Sequence, residues 1–118
     1  MKLADLPVAR GRLVPSRMNR TEQAYADRLE LRRHGGEVAW WCFEGLTFKL
    51  GPDLRYTPDF PLMLTDGTLE IHECKGGFAR DDSKAKFQMA AGKFPFVFRW
   101  CVYQGGRWTI TTPFAEDR

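Results

Sequence analysis

Asp59 stands directly behind Pro58, and fourteen residues later the run Glu73-Cys74-Lys75 sets a second acid two positions from an amine. A third acid, Glu22, lies alone on the apolar stripe of an upstream segment. Three carboxylates and one amine suit metal-assisted phosphodiester cleavage. The phosphate already carries charge and repels nucleophiles, so its hydrolysis needs cations at the scissile group and a water placed in line. Oxygen ligands select a hard cation, Mg2+ with Mn2+ able to substitute. Mg2+ is usually held by one or two carboxylates plus waters and substrate phosphate, which Asp59 and Glu73 can provide. Lys75, compact and cationic, would orient the water and favour its deprotonation. A zinc site is not indicated, because Cys42, Cys74 and Cys101 are widely spaced and His34 and His72 are isolated. The cysteines are expected to be buried thiols.

Each of these residues also has a plainer reading. A Glu-x-Lys at a strand end is commonly a structural ion pair. Glu22 follows Asn19 by three positions, so it can serve as the glutamate of a helix capping box.

The elements that must position the acids follow from spacing. Asn19 to His34 reads as a helix, opened by the Asn cap and stopped by Gly35-Gly36, with Glu22, Tyr25, Ala26 and Leu29 on one stripe. Val38 to Phe43 and Leu46 to Leu50 read as apolar strands about a Glu44-Gly45 turn. Trp40 and Trp41, adjacent on a strand, must point to opposite faces. Pro52-Asp53 breaks the run, and Arg55 to Leu64 reads as the strand of Asp59, with Pro58 implying an edge or a bulge. Asp66-Gly67 then turns a hairpin into a strand whose period of two puts Leu69, Ile71, Glu73 and Lys75 on one face. This hairpin brings the two acids together. Charges on such a face are costly to bury unless paired or bound to a metal. Beyond Gly76-Gly77, Asp82 or Ser83 caps a helix over Lys84 to Lys93 with Phe87, Ala90, Ala91 and Phe94 along its inner face. Phe96 to Tyr103 and Arg107 to Thr112 complete the pattern as strands about Gln104-Gly105-Gly106.

The order of helix Glu22, then Pro58-Asp59, then Glu73-x-Lys75 resembles the PD-(D/E)XK nuclease superfamily. More narrowly, Tyr56-Thr57-Pro58-Asp59-Phe60, Glu73-Cys74-Lys75-Gly76 and Asp81-Asp82 with Lys84 beyond are similar to the endonuclease I family of T-odd bacteriophages, which are Holliday-junction resolvases. They also resemble a family of small phage and prophage proteins with the same core. The likeness covers roughly residues 19 to 103. It implies an α/β (α+β) restriction-endonuclease-like core, a mixed central sheet flanked by two helices, in the order αβββαβ with an additional strand. It further implies that Asp59, Glu73 and the Cys74 backbone carbonyl bind Mg2+, that Glu22 sits at or beside the metal, and that Lys75 attends the attacking water. The expected substrate is branched or junction DNA, cut to leave a 5′-phosphate and a 3′-hydroxyl, and the expected assembly is a homodimer. The stretch from Trp41 to Leu50 departs from the resolvase pattern, which leaves exchange of helices between subunits open.

With 118 residues, 43% of them hydrophobic, the chain is long enough for one ordinary core and too short for two, so 19–118 reads as a single nuclease domain. The net charge is only +3, but within the first 20 residues Lys2, Arg10, Arg12, Arg17 and Arg20 stand against Asp5 alone. With Pro7, Gly11 and Pro15, residues 1–18 read as a flexible basic arm, able either to lie along phosphates or simply to aid solubility. Arg17, Arg20, Arg80, Lys84 and Lys86 are candidate DNA contacts. An odd number of cysteines, no long apolar run and no signal-peptide core point to the cytoplasm, for the resembled families that of a bacterial host. Rival readings are a nuclease that nicks or trims flaps and single strands, a non-catalytic DNA-binding module, and a phage adaptor that binds through exposed aromatic residues.

Overall fold

The computed structural model describes residues 17–76 and 83–113. Most of the basic arm, Arg80 and the Asp81-Asp82 capping pair lie outside the described residues. Helix α1 (Arg20–His34) begins as its sequence dictates. The Asn19 side chain accepts the Glu22 N–H at 2.8 Å while Glu22 Oε1 accepts the Asn19 N–H at 2.8 Å, a complete capping box. At the other end the Gly35 N–H returns to the Leu31 carbonyl at 2.9 Å, and Gly36 takes the left-handed φ of 87° that glycine tolerates best. Tyr25, Ala26 and Leu29 are its buried residues, the stripe expected from spacing.

Seven strands follow among the described residues: β1 (Val38–Trp41), β2 (Phe48–Gly51), β3 (Leu54–Tyr56), β4 (Phe60–Leu64), β5 (Leu69–Gly76) and, after helix α2 (Ser83–Lys93), β6 (Val97–Gln104) and β7 (Arg107–Thr111). Five form one sheet in the order β1-β4-β5-β6-β7, and β2 pairs with β3 in a separate ribbon. Only β5 and β6 run parallel, joined by the crossover that contains α2, so the sheet is mixed and mostly antiparallel. The chain runs helix, five strands, helix, two strands, where the resemblance implies αβββαβ with one additional strand; three of the five strands join the main sheet and the other two form the ribbon.

Two further expectations are corrected here. Glu44-Gly45 does not turn one strand back on the next. The first strand stops at Trp41 and pairs with β4, while Phe48–Gly51 pairs with Leu54–Tyr56 across Pro52-Asp53. Arg55 to Leu64 is not continuous either. It divides at Thr57-Pro58-Asp59, because a proline cannot donate to the ladder and the chain leaves the ribbon there to enter the main sheet.

The sheet has a core on each face. On one, α1 packs over Val38, Phe60, Leu62, Cys74 and Cys101. On the other, α2 and the ribbon cover Ile71 and Phe98 with Phe48, Leu50, Tyr56, Phe87, Ala90 and Ala91. Trp41 belongs to the α1 side, where its indole N–H donates to Glu30 at 2.9 Å. All three cysteines are buried free thiols, as expected.

Central strand β5 is covered on both sides, so its alternation does not separate buried from exposed residues. Its second face carries Glu70 and His72, both buried. They are satisfied: His72 Nε2 and Arg99 Nε lie 2.8 and 3.0 Å from Glu70 Oε1, and His72 Nδ1 shares a 2.6 Å hydrogen bond with the Tyr25 hydroxyl. Among the described residues, no helix is long and apolar enough to cross a membrane.

Candidate active site

The break after β3 decides where Asp59 goes. Pro58 is fully buried, and the main chain turns so that the Asp59 N–H faces Glu73 Oε1 at 3.3 Å. The Asp59 carboxylate reaches the neighbouring strand, where Oδ2 accepts the Cys74 N–H at 2.9 Å. Tyr56, the last residue of β3, donates its hydroxyl to Glu73 Oε1 at 2.5 Å. Lys75, two residues along β5 and therefore on the same face as Glu73, sets Nζ 3.3 Å from Glu73 Oε2. The hairpin, the proline break and the strand period thus bring Asp59, Glu73 and Lys75 into one cluster.

Glu22 reaches this end of the sheet from α1. A side chain built onto Gly76 would come within 3.8 Å of Thr21 Oγ1, which places the first turn of α1 beside the C-terminal end of β5. Glu22 performs the capping role already described, and its charge also acts on Asp59.

The electrostatics separate this cluster from an ordinary ion-pair network. Asp59 is 6% and Glu73 3% exposed, whereas the Lys75 side chain retains 22% of its surface and opens toward solvent. Burial, then the charge of Glu73, push Asp59 from its usual 3.8 up to about 8, with Glu22 adding to the effect and the Cys74 N–H and Lys75 opposing it. Burial likewise drives Glu73 upward against the bonds from Tyr56 and Lys75. Glu70, on the opposite face of the same strand, behaves in the reverse way. Burial would raise it, but the His72 and Arg99 bonds win and hold it at about 2. Glu70 has the cations it needs, while Asp59 and Glu73 face each other with too little positive charge between them.

A divalent cation would supply that charge. Asp59 and Glu73 offer hard oxygens from adjoining segments, and the Cys74 carbonyl belongs to the same stretch of backbone. Among the described residues no three His, Cys, Asp or Glu side chains group into a cage. Carboxylate and carbonyl oxygens are the donor types that Mg2+ takes alongside its waters.

The candidate DNA contacts that the structure describes fall at the starts of the two helices. Arg17 and Arg20 are exposed at the start of α1, and Lys84 and the half-buried Lys86 lie in the first turn of α2. Arg80 is outside the described residues. Two further residues enter from the fold. Tyr56 holds Glu73, and Trp100 is the register partner of Glu73 on β6, with Lys75 Nζ 5.9 Å and Lys84 Nζ 5.7 Å from its ring centroid. Neither could be found from local spacing, because Trp100 depends on strand pairing and Tyr56 on the packing of the ribbon against the sheet, both between distant segments. No family model, curated protein or solved structure matches the chain.

Proposed function

We propose that this protein is a metal-dependent endodeoxyribonuclease with a restriction-endonuclease-like core, acting on branched or junction DNA. One observation carries the reading: two carboxylates are buried against each other beside a lysine, and burial with the charge of Glu73 pushes Asp59 up to about 8, where an acid supplied with enough cations would be held low. A structural network would be expected to resemble Glu70, His72 and Arg99. The element order of the main sheet and the motif likeness support the same assignment. Fold likeness alone does not fix a substrate, so the preference for junctions, the homodimer that would make paired nicks and a phage origin rest on the resemblance.

In this reading Asp59 and Glu73, with the Cys74 carbonyl, hold Mg2+ or Mn2+. The chemistry such a cation supplies when bound is Lewis-acid stabilisation of charge at the phosphate. The protein groups do the rest. The Cys74 N–H fixes one Asp59 oxygen, and the Tyr56 hydroxyl with the Asp59 N–H fixes one Glu73 oxygen, so both carboxylates are oriented before substrate arrives. Lys75 holds a water at the solvent-facing side of the cluster and favours its deprotonation. Glu22 adds negative charge beside Asp59 and strengthens the demand for a cation.

The test is cleavage of a panel of four-way, flap, nicked, duplex and single-stranded DNA in Mg2+, Mn2+ or EDTA. Asp59→Ala, Glu73→Ala and Lys75→Ala should each lose cutting while still binding junctions, and Glu22→Ala should be strongly impaired. Loss of several kcal/mol of transition-state stabilisation corresponds to about tenfold in rate for each 1.4 kcal/mol. Retained cleavage by Asp59→Ala contradicts the assignment, as does wild-type protein that binds DNA but never cuts it in either metal.

A further inference from the structure

Beside the acid cluster lies a cavity of about 190 Å³ lined by Lys84, Phe87 and Gln88 of α2, Trp100 of β6, and Thr111, Thr112 and Pro113 at the end of β7. Its position follows from register. Parallel pairing sets Trp100 opposite Glu73, and cross-strand partners share a face, so the indole continues the surface on which Glu73 and Lys75 lie. One side of the indole is fixed by an edge contact with Phe87, with ring centroids 5.1 Å apart. Two ammonium groups, from Lys75 and Lys84, stand near the same ring. Gln88 and Thr111 supply an exposed amide and an exposed hydroxyl, while the half-buried Thr112 hydroxyl accepts a 3.0 Å hydrogen bond from Arg99 Nη1.

This is the chemistry of a nucleotide rather than of a purely apolar ligand. A half-buried, rigidly seated aromatic offers a stacking platform, flanking lysines attract a phosphate, and an amide and hydroxyls can hydrogen-bond a base edge. The size is selective too. The cavity falls below the roughly 300–1,000 Å³ of sites that bury a drug-sized ligand, so it suits one ring system. A paired base cannot enter such a recess, since its faces and its hydrogen-bonding edge are occupied within the duplex.

We propose that this cavity is a subsite for one unpaired nucleotide of the DNA substrate, its base stacked on Trp100 and its phosphate drawn by Lys84, one strand over from Glu73. The inference rests on the nuclease reading for its location and adds the reason a branched or single-stranded segment is preferred over duplex. It assigns Gln88 to reading the base edge and Lys84 to positioning.

The experiment uses the full chain with flap and single-stranded DNA carrying 2-aminopurine at successive unpaired positions, in Ca2+ so that binding is followed without turnover. Wild-type protein should quench the probe at one position, Trp100→Phe should quench it less, and Trp100→Leu should not quench it. Affinity for unpaired DNA should fall in Trp100→Leu by about 5- to 150-fold, the range of a lost base stack, and affinity for continuous duplex by much less. Undiminished quenching in a folded Trp100→Leu protein, or equal loss on both DNAs, overturns the subsite. If that variant fails to fold, Gln88→Ala, on the exposed side of α2, carries the test: a several-fold lower preference for unpaired DNA is expected, and an unchanged preference overturns it. Parallel assays in Mg2+ and Mn2+ separate the two proposals. Cutting without stacking rejects the subsite and leaves the nuclease standing, whereas stacking without cutting keeps the subsite and rejects the nuclease.

Discussion

At the scale of the residue, Asp59 pays for its position. The fold pushes its carboxyl from the usual 3.8 up to about 8, mainly because it is buried and next because Glu73 is beside it. Between those values the folded protein holds a proton that the unfolded chain has released, so metal-free stability falls as pH rises through that window. The slope is at most about 1.4 kcal/mol per pH unit. Asp59→Asn keeps an oxygen for the Cys74 N–H and removes the charge. Thermal melts in EDTA should therefore show the variant more stable than wild type at pH 8, with the advantage shrinking toward pH 4. A variant that is less stable at pH 8 would contradict the electrostatic account of the site. Tyr56 and Trp100 show what the sequence withholds at this scale. Each is an ordinary aromatic in its local run: Trp100 gains its place beside Glu73 through pairing of β6 with β5, and Tyr56 through the packing of the ribbon against the sheet.

At the scale of the element, legibility depends on whether the deciding interactions are local. The limits of α1 were readable because Asn19, Glu22 and Gly35-Gly36 act within a turn of the helix ends. The hairpin between β4 and β5 was readable from Asp66-Gly67, where Gly67 takes a φ of 92°. The segment from Phe43 to Tyr56 was not, because whether β1 pairs with β2 or with β4 is decided by tertiary contacts. The corner itself leaves a physical mark. Glu44 adopts a φ of 52°, and a Cβ on Gly45 would run into the buried Cys42 sulfur. Gly45→Ala should therefore overpack the bend and destabilise the protein by about 1–3 kcal/mol, read as a lower urea midpoint. An unchanged midpoint would mean that the corner is not tightly packed against Cys42.

At the scale of the whole molecule, the mixed sheet brings the start of α1, the break before β4 and the C-terminal end of β5 to one region, with the candidate phosphate contacts on the chain around it. Removing residues 1–16, which contain Lys2, Arg10 and Arg12, should weaken DNA binding and flatten the dependence of log affinity on log salt. If all three contact phosphates, the slope changes by about 2.7. An unchanged slope would reduce the arm to a solubilising tail. The acid types and their order were legible from the chain, but their surroundings were not, because Glu73 and Glu70 differ by three positions and only the fold gives Glu70 both His72 and Arg99 while setting Glu73 against Asp59. The most direct test of the central claim is Mn2+ binding followed by electron paramagnetic resonance. The account predicts bound Mn2+ for wild-type protein at millimolar concentrations, and its loss in Asp59→Asn and Glu73→Gln. Binding that survives both substitutions would show that these carboxylates do not hold the cation.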